Sequence, residues 1–206
     1  MKRIAENTIN RLIVYKKELE RLRKDDVRNV FSHKLAFLSG FPSHLVRRDL
    51  MNVGYNGSPA HGYDVVELEK CIADFLCTPG SVRVILIGVG NLGRAILDYC
   101  QQQNHKISMV AAFDSDKNKV NKVYHGIYTF HIDSIKNFIK ENDIKVAIIT
   151  VPASDAQEIA SALVESGVRG IVNFTPARLQ LNEEVYIENL DMMLGLEKVV
   201  YFVDGG

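Results

Sequence analysis

Residues 86–97 read LIGVGNLGRAIL, with glycines at Gly88, Gly90 and Gly93. The spacing alone is common. Its surroundings make it informative, because a near-continuous apolar run, VRVILIGV, precedes it and a helix-forming stretch, NLGRAILDYCQQQ, follows. A strand buried on both faces has that texture. A strand, a glycine turn and a helix in that order form the dinucleotide-binding turn. The first glycine permits the tight bend, the second lets the backbone approach a pyrophosphate, and the third lets helix and strand pack closely. The candidate phosphate-binding residues are therefore Gly88, Val89, Gly90, Asn91, Leu92 and Gly93, with the first amides of the helix facing the phosphates.

Working downstream, ISMVAAFD reads as a second buried strand that ends at Asp114, 26 residues after Gly88. A carboxylate there accepts hydrogen bonds from the adenosine ribose hydroxyls and repels a 2′-phosphate, so NAD⁺ and NADH are favoured over their phosphorylated forms. Helix-like DSIKNFIKEN leads to the strand VAIITVP, the helix SDAQEIASALVESG and a fourth strand, GIVNFT. VYIENL is a shorter fifth candidate, and DMMLGLEKVVYFV closes the chain as an apolar, helical segment. Strands alternating with helices give a parallel sheet with crossover helices. Val151 and Pro152 follow the third strand, and Phe174 and Thr175 the fourth. Ligands of such sheets lie outside the carboxyl ends of the strands, so these four residues frame the nicotinamide half. The prolines Pro152 and Pro176 read equally well as strand terminators.

Upstream, some eighty residues precede the turn. Residues 1–50 hold 12 Lys or Arg against 6 Asp or Glu, while the rest of this electrically neutral chain holds 13 against 19. A basic first quarter on an acidic body suggests a polyanionic partner. Residues 4–23 carry Ile9, Leu12, Ile13, Tyr15, Leu19 and Leu22 at helical spacing. Ser32 is placed to cap a helix over HKLAFLS, which Gly40 closes, and Ser43 to cap a third over HLVRRDLMNV. Helix, short turn, helix is the DNA-reading motif, whose second helix enters the major groove. Leu45 and Leu50 are expected inward with Val46 at the boundary. That leaves Ser43, His44, Arg47 and Arg48 to face DNA, where one arginine reads a guanine edge and the other a phosphate. GYNGSPAHGY forms the wing, ending in strand-like YDVVEL, with Asn56, Ser58 and His61 as its polar contacts. Residues 66–77 read as a helix, and Thr78-Pro79-Gly80 marks the domain boundary.

Other chemistry finds little support. The six histidines are scattered, and Cys71, Cys77 and Cys100 have no metal-ligand spacing, so no metal is expected and reduced cytoplasmic thiols are the simplest account. No leader-like or membrane-spanning apolar run is present in the sequence. No His, Lys or Tyr constellation suggests hydride-transfer catalysis. His131 reads as a cap or packing residue and Tyr186 as a strand residue. The competing readings are a small NAD-dependent oxidoreductase with an accessory helical domain, and a dinucleotide sensor acting on a protein partner.

Seven segments together resemble one family, the Rex redox-sensing transcriptional repressors of bacteria: LVRRDL, GYDV, IGVGNLGRAILDY, AAFDSD, ITVPASDAQEIA, GVRGIVNFTPARL and VYIENLDM. The resemblance spans nearly the whole chain. It implies an α/β protein with a winged helix-turn-helix over residues 1–79, a Rossmann-type NAD(H)-binding domain over 80–190, and a C-terminal helix over 191–206 that swaps into a second copy. It implies a homodimer on a two-fold symmetric operator, an inverted repeat, that NADH releases and NAD⁺ leaves bound. It implies no catalysis. Tyr99 and Asp191 match residues that couple cofactor to domain position, and Lys17 stands where some members place an arginine that pairs with that aspartate. Lysine keeps the charge without the bidentate fork. The wing also departs from the family, with Ser58, Pro59, Ala60 and His61 after Gly57 in place of a basic residue.

Overall fold

The computed structural model describes residues 4–76, 81–102 and 107–204, with side chains excepted at position 102. Cys77, Thr78-Pro79-Gly80 and His105 lie outside the described residues. The chain divides into two compact units, 1–79 and 80–206.

The first unit contains α1 (Glu6–Lys24), β1 (Asn29–Val30), α2 (Ser32–Ser39), α3 (Ser43–Val53), β2 (Tyr63–Asp64) and α4 (Val65–Phe75). α1 buries Thr8, Leu12, Tyr15, Leu19 and Leu22, one stripe at alternating spacings of four and three. Ile13 falls off that stripe and is exposed, unlike the sequence expectation. The stripe packs with Leu35, Val46, Leu50, Val65, Leu68 and Ile72 in one core. Two expected caps do not form. Ser32 and Ser43 are the first helical residues, and Phe31 and Pro42 stand at the N-cap positions without a side-chain cap. A proline at the N-cap supplies the extended backbone that launches a helix, and its carbonyl accepts from the amides of Leu45 and Val46 at 2.9 and 3.2 Å. Gly40 does follow α2 in the left-handed conformation, at φ 72°.

The register of α3 also differs from expectation by one residue. Val46 and Leu50 are wholly buried with Asp49, while Leu45 is only half-buried. Positions 46, 49, 50 and 53 share a face, and the charge at 49 hides that face from a reading based on apolar residues alone. The strand expected over YDVVEL is cut to Tyr63–Asp64. Asp64 accepts from the amides of Val66 and Glu67, both at 3.0 Å, and this N-cap turns the β-branched pair Val65-Val66 into the first turn of α4. β2 pairs antiparallel with β1, Val30 opposite Tyr63.

The second unit is a seven-stranded sheet. Its strands are β3 (Val82–Ile87), β4 (Ile107–Asp114), β5 (Lys122–Tyr124), β6 (Ile127–His131), β7 (Val146–Ile149), β8 (Gly170–Asn173) and β9 (Tyr186–Asn189). α5 (Asn91–Gln102), α6 (Ile135–Asn142), α7 (Ala153–Glu165) and α8 (Met192–Asp204) complete it. The order is β5-β6-β4-β3-β7-β8-β9, with only β5 antiparallel. Without that edge strand, the parallel strands taken in chain order run 3-2-1-4-5-6, the doubly wound Rossmann arrangement. The β5–β6 hairpin is not expected from the sequence. The expected fifth strand over VYIENL is present as β9. One face of the sheet is covered by a core that includes Phe113, Ile135, Ile139 and Leu163, the other by one that includes Leu86, Leu97, Met109 and Ile127.

Candidate dinucleotide site and DNA-facing surface

The chain order reverses between β3 and β7, which is where such sheets take their ligand. Three strand ends meet there, and they are stapled together. The amide of Gly88 donates to the carbonyl of Phe113 at 2.8 Å, and that of Thr150 to the carbonyl of Ile87 at 2.9 Å. The Thr150 hydroxyl donates to the carbonyl of Gly88 at 2.7 Å. A cleft of about 430 Å³ opens beside them, lined among others by Gly88, Gly90, Asp114, Lys119, Val151 and Pro152.

The glycines divide their roles as the chemistry requires. Gly88 has φ 95°, and a Cβ there would stand 2.7 Å from the carbonyl of Thr150. A Cβ on Gly93 would collide with the carbonyl oxygen of Gly88, so this glycine lets α5 lie against the end of β3. A Cβ on Gly90 meets nothing within 4 Å. The middle glycine is therefore not demanded by the protein's own packing. It leaves backbone open on the cleft, as a cradle for a pyrophosphate does. Asn91 is the first residue of α5, Leu92 is exposed beside it, and Val89 is wholly buried.

Asp114 is 7% exposed. Its Oδ2 accepts from the amide of Val89 at 2.7 Å and from Lys119 Nζ at 3.3 Å, and its Oδ1 accepts from the amide of Asp116 at 2.8 Å. Burial alone raises its pKa. The two amides and the Lys119 ammonium outweigh burial and hold the carboxyl below the usual range. The carboxylate thus anchors the glycine turn as well as facing the cleft. Lys119, which also lies 3.9 Å from Asp116 Oδ2, and Thr150 carry no signal in the sequence. A lysine five residues beyond a strand end has no spacing motif, and Thr150 reads simply as a β-branched strand residue.

Phe174 and Thr175 are not among the residues that line this cleft, although the amide of Phe174 donates to the carbonyl of Ile149 at 3.0 Å, at the end of β7. Thr175 donates through its amide and hydroxyl to Asn173 Oδ1 at 3.0 and 2.8 Å. Asn173 Nδ2 in turn donates to the carbonyl of Ala177 and to Asn189 Oδ1. Phe174 packs on the core beside α5. His131 accepts at Nδ1 from the amide of Asp133 and caps a single 3₁₀ turn. Tyr186 stands on β9. Tyr99 is exposed on α5, and Asp191 caps α8 by accepting from the amide of Met193 at 2.8 Å. Among the described residues, no group of three or more His, Cys, Asp or Glu could hold a metal, and no helix is long and apolar enough to cross a membrane.

In the first unit, α3 leaves His44, Arg47 and Arg48 exposed and Ser43 half-exposed. Arg47 Nη1 donates to Ser32 Oγ at 3.3 Å, which ties the second helix of the motif to the start of the first. Asn56, Ser58 and His61 are all exposed on the wing, which closes on itself through paired 2.7 Å hydrogen bonds between Ser58 and Gly62. Lys17 is exposed on α1. Missed in the sequence is a buried cluster. Arg11 forks onto Asp49 through Nε at 2.5 Å and Nη2 at 2.8 Å, Tyr15 donates to Asp49 Oδ2 at 3.2 Å, and Arg11 Nη2 reaches Thr8 Oγ1 at 2.9 Å.

A Rossmann sheet with a dinucleotide cleft, in one chain with a winged helical unit, defines a nucleotide-binding protein with an N-terminal DNA-binding domain. Two family models agree with that division: "Putative DNA-binding protein N-terminus" over residues 3–50 and "CoA binding domain" over residues 80–177. The redox-sensing transcriptional repressor Rex of Listeria welshimeri is 35% identical over 202 residues, covering 98% of this chain and 94% of its own. That of Streptococcus mutans is 36% identical over 205 residues, covering 98% and 96%. Among solved structures, RSP, a Rex-family repressor, in complex with β-NAD⁺ and operator DNA has a TM-score of 0.92 at 29% identity, covering 100% of this chain and 94% of its own. Its complex with β-NADH has a TM-score of 0.88, also at 29% identity, covering 100% and 96%. The chain belongs to the Rex family of redox-sensing transcriptional repressors.

Proposed function

We propose that this chain is a homodimeric repressor that holds an inverted-repeat operator through α3 and the wing, and lets it go when NADH fills the cleft beside Gly90 and Asp114. The observation that carries the reading is the joining, in one chain, of an open glycine cradle anchored by Asp114 to a helix that presents Arg47 and Arg48. The complexes of the relative RSP, one with NAD⁺ and operator DNA and one with NADH, support it. The cleft then serves sensing and not turnover. NADH and NAD⁺ differ by one formal positive charge and by ring planarity, and a switch needs only that the two protein states bind them unequally.

Dimerisation is supported by α8. Met192, Leu196, Val200 and Phe202 are between 56% and 76% exposed, and an apolar surface of that kind marks an interaction site. We read residues 191–206 as exchanged with a second copy, with Tyr99, Asp191 and Lys17 as the coupling residues. The cytoplasm, where genome and reduced cofactor meet, suits the protein. Burial pushes the Cys71 and Cys100 thiols up, which favours their protonated, unreactive form. The test is fluorescence anisotropy on an inverted-repeat duplex. The wild type binds it, and Arg47→Ala/Arg48→Ala abolishes binding while NADH affinity stays within about twofold, since phosphate and base contacts are lost but the cleft is untouched. Equal DNA binding by wild type and double variant contradicts the reading.

A further inference from the structure

We infer that Arg11 and Asp49 are positioning residues for operator recognition: their buried ion pair fixes the rotation and register of α3 against α1. The inference rests on the reading of α3 as the DNA-facing helix. Asp49 directly follows Arg47 and Arg48, and its side chain is wholly buried, while that of Arg11 is 12% exposed. The other inward residues of α3, Val46 and Leu50, make apolar contacts. Such contacts are non-directional and tolerate sliding. A step of one residue along a helix turns it by about 100° and advances it about 1.5 Å, enough to swing both arginines away from a base edge. A guanidinium fork on a carboxylate is planar and directional, and resists that motion.

Stability alone gives a poor account of the pair. Two charges lose their hydration on burial, and replacing a buried ion pair with apolar residues is often neutral or stabilising. The surroundings instead hold one geometry. Arg11 Nη2 also reaches Thr8 Oγ1, and Tyr15 donates to the Asp49 oxygen that accepts Arg11 Nε. Burial pushes the Tyr15 hydroxyl up and keeps it a donor.

The full-length protein is used to enrich duplexes from a pool of randomised two-fold symmetric sequences. The enriched duplex and a scrambled one are then titrated with wild type, Arg11→Met/Asp49→Leu and Arg11→Lys, alongside thermal melts and NADH titrations. The double variant is expected to melt no lower than wild type and to bind the scrambled duplex within about threefold of it. It loses preference for the enriched duplex by about tenfold or more, the scale of one mismatched base pair. Arg11→Lys keeps the charge without the fork and loses part of the preference, and it carries the test if the double variant does not fold. A folded variant of either kind that discriminates like wild type overturns the inference. A wild type that enriches no duplex overturns the DNA reading, and this inference with it.

Discussion

The amide of Val89 donates to the buried carboxylate of Asp114 at 2.7 Å, so the end of β4 holds the glycine turn that follows β3. Asp114→Ala leaves that wholly buried segment with an unpaired amide, a cost of about 1–3 kcal/mol. NADH affinity falls by about tenfold or more and release from DNA is blunted, while operator binding without NADH persists. Calorimetric titration with NADH checks the first effect and anisotropy the others.

The same carboxylate predicts an acid signature. Its pKa in the folded chain lies below the ordinary value, so it contributes stability in full above about pH 4, the unfolded value. That contribution is lost as pH falls through the folded pKa. The stability gap between wild type and Asp114→Asn, measured by denaturant unfolding, is therefore constant near neutrality and narrows below about pH 4. A gap that widens on acidification contradicts the assignment.

Gly90 and Gly93 separate ligand binding from packing. Gly93→Ala drives a methyl group into the carbonyl of Gly88 and destabilises the sheet unit by about 1–3 kcal/mol or more. Gly90→Ala meets open space, so its melting temperature stays near that of wild type while NADH affinity drops. Equal affinity loss with equal destabilisation at both positions would place Gly90 in the fold and not in the site.

Lys119 sets the charge balance beside Asp114 in the cleft, where the adenosine ribose is expected. Its ammonium sits 3.3 Å from Asp114 and 3.9 Å from Asp116, so a 2′-phosphate meets one cation as well as two carboxylates. Lys119→Met removes the attraction. Affinity for NADPH is expected to fall by about tenfold, one opposing charge in a partly screened site, and affinity for NADH by less. Competition between the two cofactors reads the ratio, and an unchanged ratio removes Lys119 from cofactor discrimination.

Aspartates at Val199 and Phe202, both exposed on α8, are expected to leave the monomer fold intact and shift the dimer toward monomer. Light scattering across a dilution series measures the shift. A variant that remains dimeric moves the interface elsewhere.

Much of this was legible in the sequence for physical reasons. Parallel strands such as VRVILI are buried on both faces and read as apolar runs, and Gly88 and Gly93 are glycine because backbone atoms occupy the space of a Cβ. The wing follows from its turn residues, and the exposure of Arg47 and Arg48 from their charge, although the buried Asp49 conceals the register of α3. What escaped the reading is long-range or very short. Arg11 and Asp49 are 38 residues apart, and no local pattern joins them. β1 has two residues and exists only because β2 pairs with it. The β5–β6 hairpin turns through His125 and Gly126, both at positive φ, and a histidine does not announce a left-handed turn. Ser32 and Ser43 carry cap-forming side chains, yet the helices start one residue earlier, a difference that only backbone geometry decides.

One ligand is predicted to couple the two units. The most direct measurement is a titration of the preformed complex of dimer and inverted-repeat duplex with NADH and, in parallel, with NAD⁺, followed by anisotropy. NADH is predicted to release the duplex at concentrations where NAD⁺ leaves it bound, and Asp114→Ala to move the NADH midpoint upward. A complex that ignores NADH, or that NAD⁺ dissolves equally well, contradicts the account.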